Sequence, residues 1–201
     1  ESAIRNNPAD ARAPYYLGNL LYDLQPENAI KAWEASRKLD NAFAIVHRNL
    51  GLAYARVEND AVKAIASLEQ AVARNPRDPK LYAELDALYE IGGISHQKRL
   101  ALLEQNHATV EKRDDALARE IALTVLLGNY DKAINLLDGH HFHLWEGQER
   151  GVHELYVDAH LLRGEGNLKA GKHPDALKDF EAALEYPDRF ETARPYRGGG
   201  R

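Results

Sequence analysis

The chain of 201 residues contains no cysteine and no methionine. Without cysteine there are no disulfide staples, no thiolate metal sites and no thiol nucleophile, while the redox compartment stays open. No run approaches the roughly 18 apolar residues that a membrane-crossing helix needs. No stretch has the order of charged, apolar and small residues that marks a secretory leader. Positive charge is in deficit: 26 Lys and Arg face 31 Asp and Glu, for a net charge of −5. A nucleic-acid partner would want a basic face, so the balance argues against one. The phosphate-binding loop, the dinucleotide glycine pattern and the Gly-x-Ser-x-Gly elbow are all missing from the sequence, so catalysis has no motif to stand on. Ser2, Ser36, Ser67 and Ser95 are the only serines, and none has an identifiable His and acid beside it. The expectation is a protein that is not an enzyme, with no cofactor.

What is present is amphipathic helix. Hydrophobic residues make up 44% and charged residues 28% of the chain, enough to bury a core. The clearest stretch is Asn41 to Pro76. Val46, Leu50, Ala53, Tyr54 and Val57 recur at helical spacing, and so do Ala64, Ile65, Leu68, Ala71 and Val72. Glu58-Asn59-Asp60 is the expected turn between them, and Asn75-Pro76 closes the second helix. Gly51, Ala53, Ala64 and Ala71 are small where two antiparallel helices must approach. A unit of this length is a repeat period.

The unit resembles a tetratricopeptide repeat, on Leu50-Gly51, Tyr54, Ala64, Ala71 and Pro76. The second-helix aromatic of that family is replaced by Leu68, and its first-helix Trp by His47. Further repeats follow the same plan. Repeat one spans about Asp10 to Asp40, with Leu17-Gly18 standing 33 residues before Leu50-Gly51. Asp10 is its expected N-cap, Pro14 lies in the first turn, Pro26 opens the second helix, and Trp33 fills the aromatic slot. Repeat three is degenerate, with a helix through Leu81, Leu85, Leu88 and Tyr89, a break at Gly92-Gly93, and a helix from about Ser95 to Asn106. Repeat four is read as a helix from about Ala108 to Leu127, a turn at Gly128 to Asp131 with Gly128 left-handed and Asn129 as cap, and a helix opened by Ala133, Ile134 and Leu137. Gly139 to Gly151 interrupts the period. Repeat five follows from about His153 to Pro187, with Phe180 in the aromatic slot.

The resemblance implies an all-α solenoid of about five antiparallel helix pairs, a right-handed superhelix over residues 1–187 with a period break at 139–151, followed by an irregular tail at 188–201. More loosely, the whole chain resembles the helical C-terminal part of bacterial multidomain proteins that carry an N-terminal β-sandwich domain of unknown function. Both ends read as cut from a longer polypeptide.

The family builds its concave surface from first helices. Those places hold Arg12, Tyr15, Asn19, Tyr22, Arg48, Asn49, Leu52, Arg56 and Lys80, the expected groove for a protein or peptide segment. Chaperone-binding members clamp a terminal carboxylate with two asparagines and three basic residues. Asn19, Asn49 and Lys80 match; Tyr15 replaces one lysine, and Glu84 stands where a basic residue is expected. The alternative is an accessory domain that packs on a β-rich domain of the same carbohydrate-related polypeptide. It would use the period break, whose His140, His141, His143 and Trp145 form a possible contact loop. No fourth metal ligand is identifiable there. His153 and His160 are seven apart, roughly 10 Å along a helix, too far for one zinc. Asp114-Asp115 reads as a charged first turn. The expected compartment is the cytoplasm. An RNA-binding repeat array would need basic repeat positions that are lacking.

Overall fold

The computed structural model describes residues 7–143 and 151–191. Among them are eleven α-helices, one π-helical extension, one short 3-10 turn and no β-strand. None of these helices is long and apolar enough to cross a membrane. The chain divides into two compact units, residues 1–95 and 96–201.

The first unit holds α1 (Arg12–Leu21), α2 (Pro26–Leu39), α3 (Ala44–Ala53), α4 (Ala61–Arg74) and α5 (Pro79–Ile91). Helices α1 and α2 form one antiparallel pair and α3 and α4 the next. The pairs stack through α2 on α3 and α4 on α5. Small residues permit the close pairings. A Cβ on Gly51 would lie 3.0 Å from the Ala64 carbonyl, so glycine lets α3 approach α4 without pushing the α4 backbone back. Ala53, Ala64 and Ala71 are fully buried along the same seam. Pro26 opens α2 at its first position, where a missing N–H costs nothing. Asp10 accepts the Arg12 N–H at 3.0 Å at the mouth of α1.

The turn in repeat two differs from the sequence reading. Helix α3 does not stop before Glu58 but runs on as a π turn, Tyr54–Glu58. Asn59 then reverses the chain at φ 53°, and the Asp60 carboxylate caps α4 by accepting the Lys63 N–H at 2.9 Å. The wider turn accounts for the repeat spacing. Leu17 and Leu50 are 33 residues apart, whereas Ala29 and Ala64 are 35 apart. The two added residues lie between those landmarks, where the π turn sits. Tyr54 begins it, buried, with its hydroxyl donating to Glu34 at 2.7 Å.

The second unit holds α6 (His96–Gln105), α7 (His107–Val110), α8 (Asp114–Leu126), α9 (Tyr130–Gly139), α10 (Val152–Lys169), α11 (His173–Ala182) and the 3-10 turn Asp188–Phe190. Helix α8 packs against α6, α9 and α10, and α10 pairs with α11. The expected single helix at 108–127 is two helices. Arg113 is extended (φ −144°, ψ 123°) and restarts the chain at Asp114. Gly128 is left-handed as expected, at φ 82°. Asn129 holds the N-cap position of α9, but its side chain makes no cap bond. The core joins Leu117, Ile121, Leu137, Phe142, Tyr156 and Phe190. Phe190 is only 2% exposed, so the expected irregular tail at 188–201 begins with a turn whose aromatic ring is core. Trp145 lies outside the described residues.

Candidate functional site

In the first unit the stacked pairs leave a concave pocket of about 370 Å³. Its wall is made by Tyr15 and Asn19 from α1, Tyr22 just after it, Trp33 from α2, Ile45, Arg48, Asn49 and Leu52 from α3, and Arg56 from the π turn. Six of the expected groove residues therefore come together with Leu52: Tyr15, Asn19, Tyr22, Arg48, Asn49 and Arg56. Arg12 and Lys80 do not line this pocket. Arg12 is turned to Asp10, its Nε and Nη2 donating to the carboxylate at 2.9 and 2.8 Å, and lines a separate hollow with Asp40 and Phe43. That partnership, first through the side-chain bonds, holds the Asp10 carboxyl down to about 2. Lys80 is exposed in the first turn of α5, where its N–H is capped by Asp78 at 3.1 Å.

The floor of the pocket has a fixed polarity. Trp33 is buried against Gly18, where a Cβ would overlap the indole. Its Nε1–H donates to Asn19 Oδ1 at 3.0 Å. Asn49 Nδ2 donates to the same oxygen at 3.1 Å. An indole nitrogen can only donate, so Asn19 must present its oxygen inward. Its amide NH₂, one Asn49 N–H and the Asn49 carbonyl oxygen are then left without a protein partner among the described residues. A donor and an acceptor side by side match the C=O and N–H of a peptide main chain.

Charge in the pocket is partly neutralised from within. Arg48 Nε donates to Glu84 Oε2 at 2.7 Å, and Nη2 donates to Oε1. Both side chains are largely withdrawn from water, at 19% and 17% exposed. Arg56 is exposed, and among the described residues no carboxylate is ion-paired with it. The aromatic shelf extends outward as Tyr15 packs on Phe43, ring centres 5.0 Å apart. Sequence reasoning placed Trp33 in the core and missed its second role. The signal was available: a buried indole N–H needs an acceptor, and Asn19 is the polar residue one helix away.

The histidine-rich stretch in the second unit is anchored rather than open. Asp114, 3% exposed at the start of α8, accepts from the His143 backbone N–H at 2.6 Å. It also pairs with the His140 ring at 2.8 Å and the His143 ring at 3.1 Å. Burial pushes the Asp114 carboxyl up, but the His143 N–H and the two imidazoles together outweigh it, so its pKa is lowered. His141 meets Glu191 at 2.9 Å. Phe142 is buried between them, its N–H donating to the Arg189 carbonyl at 2.8 Å. Among the described residues no three His, Asp or Glu side chains converge as a metal-binding set. His153 and His160 have separate partners: the Glu185 carbonyl at 3.0 Å and Asp179 at 3.0 Å. Asp179 also takes Arg163 and Asn167. Burial would raise its carboxyl, and these donors, Arg163 foremost, lower it.

No family model matches the sequence. Among solved structures, the chain is similar to YrrB, described as a TPR protein with an unusual peptide-binding site: 19% identity, 91% of this chain and 89% of that one covered, TM-score 0.64. It is similar to MamA at 19% identity, with 90% and 92% covered and a TM-score of 0.60. MamA from Desulfovibrio magneticus RS-1 aligns at 14% identity, with 87% and 93% covered and a TM-score of 0.55. What the chain shares with these proteins is the fold, and that fold is the all-α helical-repeat architecture of tetratricopeptide type.

Proposed function

We propose that the protein is a non-enzymatic interaction scaffold that holds a peptide segment of a partner in the groove of its first unit. One observation carries this reading: Trp33 and Asn49 both donate to Asn19 Oδ1, which leaves the Asn19 amide NH₂ and the Asn49 carbonyl oxygen as a donor and an acceptor on residues lining a pocket with Tyr15, Tyr22, Ile45 and Leu52. Apolar and aromatic walls supply contact area, and the amide pair supplies main-chain hydrogen bonds. This is the division of labour expected of a peptide site. The peptide-binding site reported for YrrB, on the same fold, is in line with it. No pair of groove residues has the geometry of a nucleophile and its base.

The test is a pull-down read by mass spectrometry, with the wild-type chain beside a Tyr15→Ala, Asn49→Ala, Arg56→Glu variant of unchanged helicity. A protein retained by the first and lost by the second supports the groove. Identical captures by both variants would refute it.

A further inference from the structure

Resting on the groove reading above, we infer that the groove selects an internal acidic segment of its partner and rejects a free chain terminus, with Glu84 as the residue that sets this choice. Two guanidinium groups border the pocket, and they are not equivalent. Arg48 is gripped fork-on-fork by Glu84, in a pair that is mostly out of water. Bidentate charge-assisted bonds of this kind are the strong ones. Pulling Arg48 away would leave the Glu84 carboxylate unpaired in a poorly hydrated place. A terminal carboxylate approaching Arg48 therefore meets a neutralised cation with a like charge behind it.

Arg56 is the other case. It is exposed on the pocket rim, with no carboxylate ion-paired to it among the described residues. It is the point where an acidic side chain gains a partner without displacing one. Arg56 lies seven residues beyond Asn49, roughly 10 Å along the helix axis. An extended chain covers that span in about three residues. The ligand should therefore lay one main-chain amide on the Asn19–Asn49 pair and carry Asp or Glu about three residues away.

The amide pair makes the same distinction. One N–H of Asn49 Nδ2 is committed to Asn19 Oδ1 at 3.1 Å, which sets the Asn49 carbonyl oxygen as an acceptor beside the Asn19 NH₂ donor. An interior residue offers both a C=O and an N–H to such a pair. A C-terminal carboxylate offers only acceptors: it can take N–H groups of Asn19 and Asn49 but makes no bond to the Asn49 oxygen.

The test uses the full 201-residue chain and two phage libraries of random nonapeptides, one displayed internally and one with a free C-terminus. The wild type should enrich internal peptides that contain Asp or Glu. The best of these, synthesised, should bind alike as acid and as amide, and should weaken about fivefold when its acidic residue becomes the amide. Arg56→Glu, a surface change, should weaken it about tenfold or more. Glu84→Gln keeps the shape, frees the Arg48 charge, and should raise the acid-over-amide preference about fivefold. Enrichment of free C-termini by the wild type, with binding lost in Asn49→Ala, would overturn the inference and leave the groove reading intact. So would an acid-over-amide ratio unmoved by Glu84→Gln. If neither library yields a ligand sensitive to Tyr15→Ala or Asn49→Ala, the groove reading fails and this inference fails with it.

Discussion

Replacing Gly18 by alanine tests whether Trp33 is locked in place, and Gly166 supplies the control. Both glycines lie inside helices, α1 and α10. Exchanging a helix-interior glycine for alanine gains up to about 1 kcal/mol from propensity alone. At Gly166 the new Cβ meets nothing within 4 Å, so the gain should appear in full. At Gly18 it would come to 2.5 Å from Trp33 Cδ1 and 2.8 Å from Cε2, closer than any real contact. The indole is 3% exposed, and moving it into the pocket would break its Nε1 bond to Asn19. Overpacking of this kind costs about 1–3 kcal/mol, and losing the Asn19 bond adds about 1 kcal/mol. After the propensity gain, Gly18→Ala should destabilise by roughly 1–3 kcal/mol. Urea unfolding resolves this. With the second of the two tryptophans removed by Trp145→Phe, emission reports Trp33 alone, and circular dichroism follows Gly166→Ala. Should Gly18→Ala equal or exceed the wild type while Gly166→Ala stabilises, Trp33 is not wedged on α1, and the fixed polarity of the groove floor loses its basis.

Helix caps give a second contrast: Asp60→Ala and Asp78→Ala, which each remove an observed cap bond, should each cost about 0.5–2 kcal/mol in urea melts, while Asn129→Ala, which removes none, should change stability by less than about 0.5 kcal/mol. Asp114→Ala strips the anchor from the His140–His143 stretch and leaves the His143 N–H without its acceptor. It should cost roughly 1–3 kcal/mol, seen as an earlier urea transition. Asp114 and Asp179 have lowered pKa values in the fold, so the unfolded chain binds their protons first. Their stabilisation is complete above the ordinary carboxyl value of 3.8 and is lost as pH falls below it. Asp179→Asn should therefore flatten the acid limb of a melting-temperature series. His47 is buried, and that burial foremost, with Arg74 and Arg37 nearby, lowers its pKa against the raising effect of the Asn41 carbonyl. Its contribution is full above the ordinary 6.5 and declines as pH falls through it toward the lower folded value. His47→Gln should reduce the drop in melting temperature between about pH 7 and pH 5.

The helices were legible in the sequence because their signals are local. Ala29, Ile30 and Trp33 on one face, or Leu81, Leu85 and Leu88 on another, announce a buried stripe at helical spacing, and all are buried. Gly92-Gly93 and Gly128 announced breaks, and Gly93 and Gly128 sit at φ 68° and 82°. The π turn after Ala53 was not legible, since nothing in Tyr54–Glu58 departs from an ordinary helical pattern. Only the 35-residue spacing from Ala29 to Ala64, set against 33 from Leu17 to Leu50, betrays the added residues. The split before Asp114 was hidden for a related reason. Glu111 to Asp115 reads as a solvated charged turn, and what makes Asp114 a buried anchor is a pair of histidines 26 and 29 residues later.

The groove shows the same division between face and partner. Repeat register placed Tyr15, Asn19, Tyr22, Arg48, Asn49 and Arg56 on first helices, and the pocket gathers them. Register cannot say whether a cation in that set is available. Arg48 and Arg56 are eight residues apart in one repeat, and by composition they are the same residue. Their difference lies 36 residues downstream of Arg48, in Glu84 on α5, which takes one guanidinium and leaves the other to solvent. A reading that counts basic positions treats Glu84 as a defect in a clamp. The structure makes it half of an ion pair. The chemistry of the groove is therefore set between repeats, so exchanging α5 for the first helix of another repeat should change what the groove binds while Asn19, Asn49 and Arg56 stay as they are.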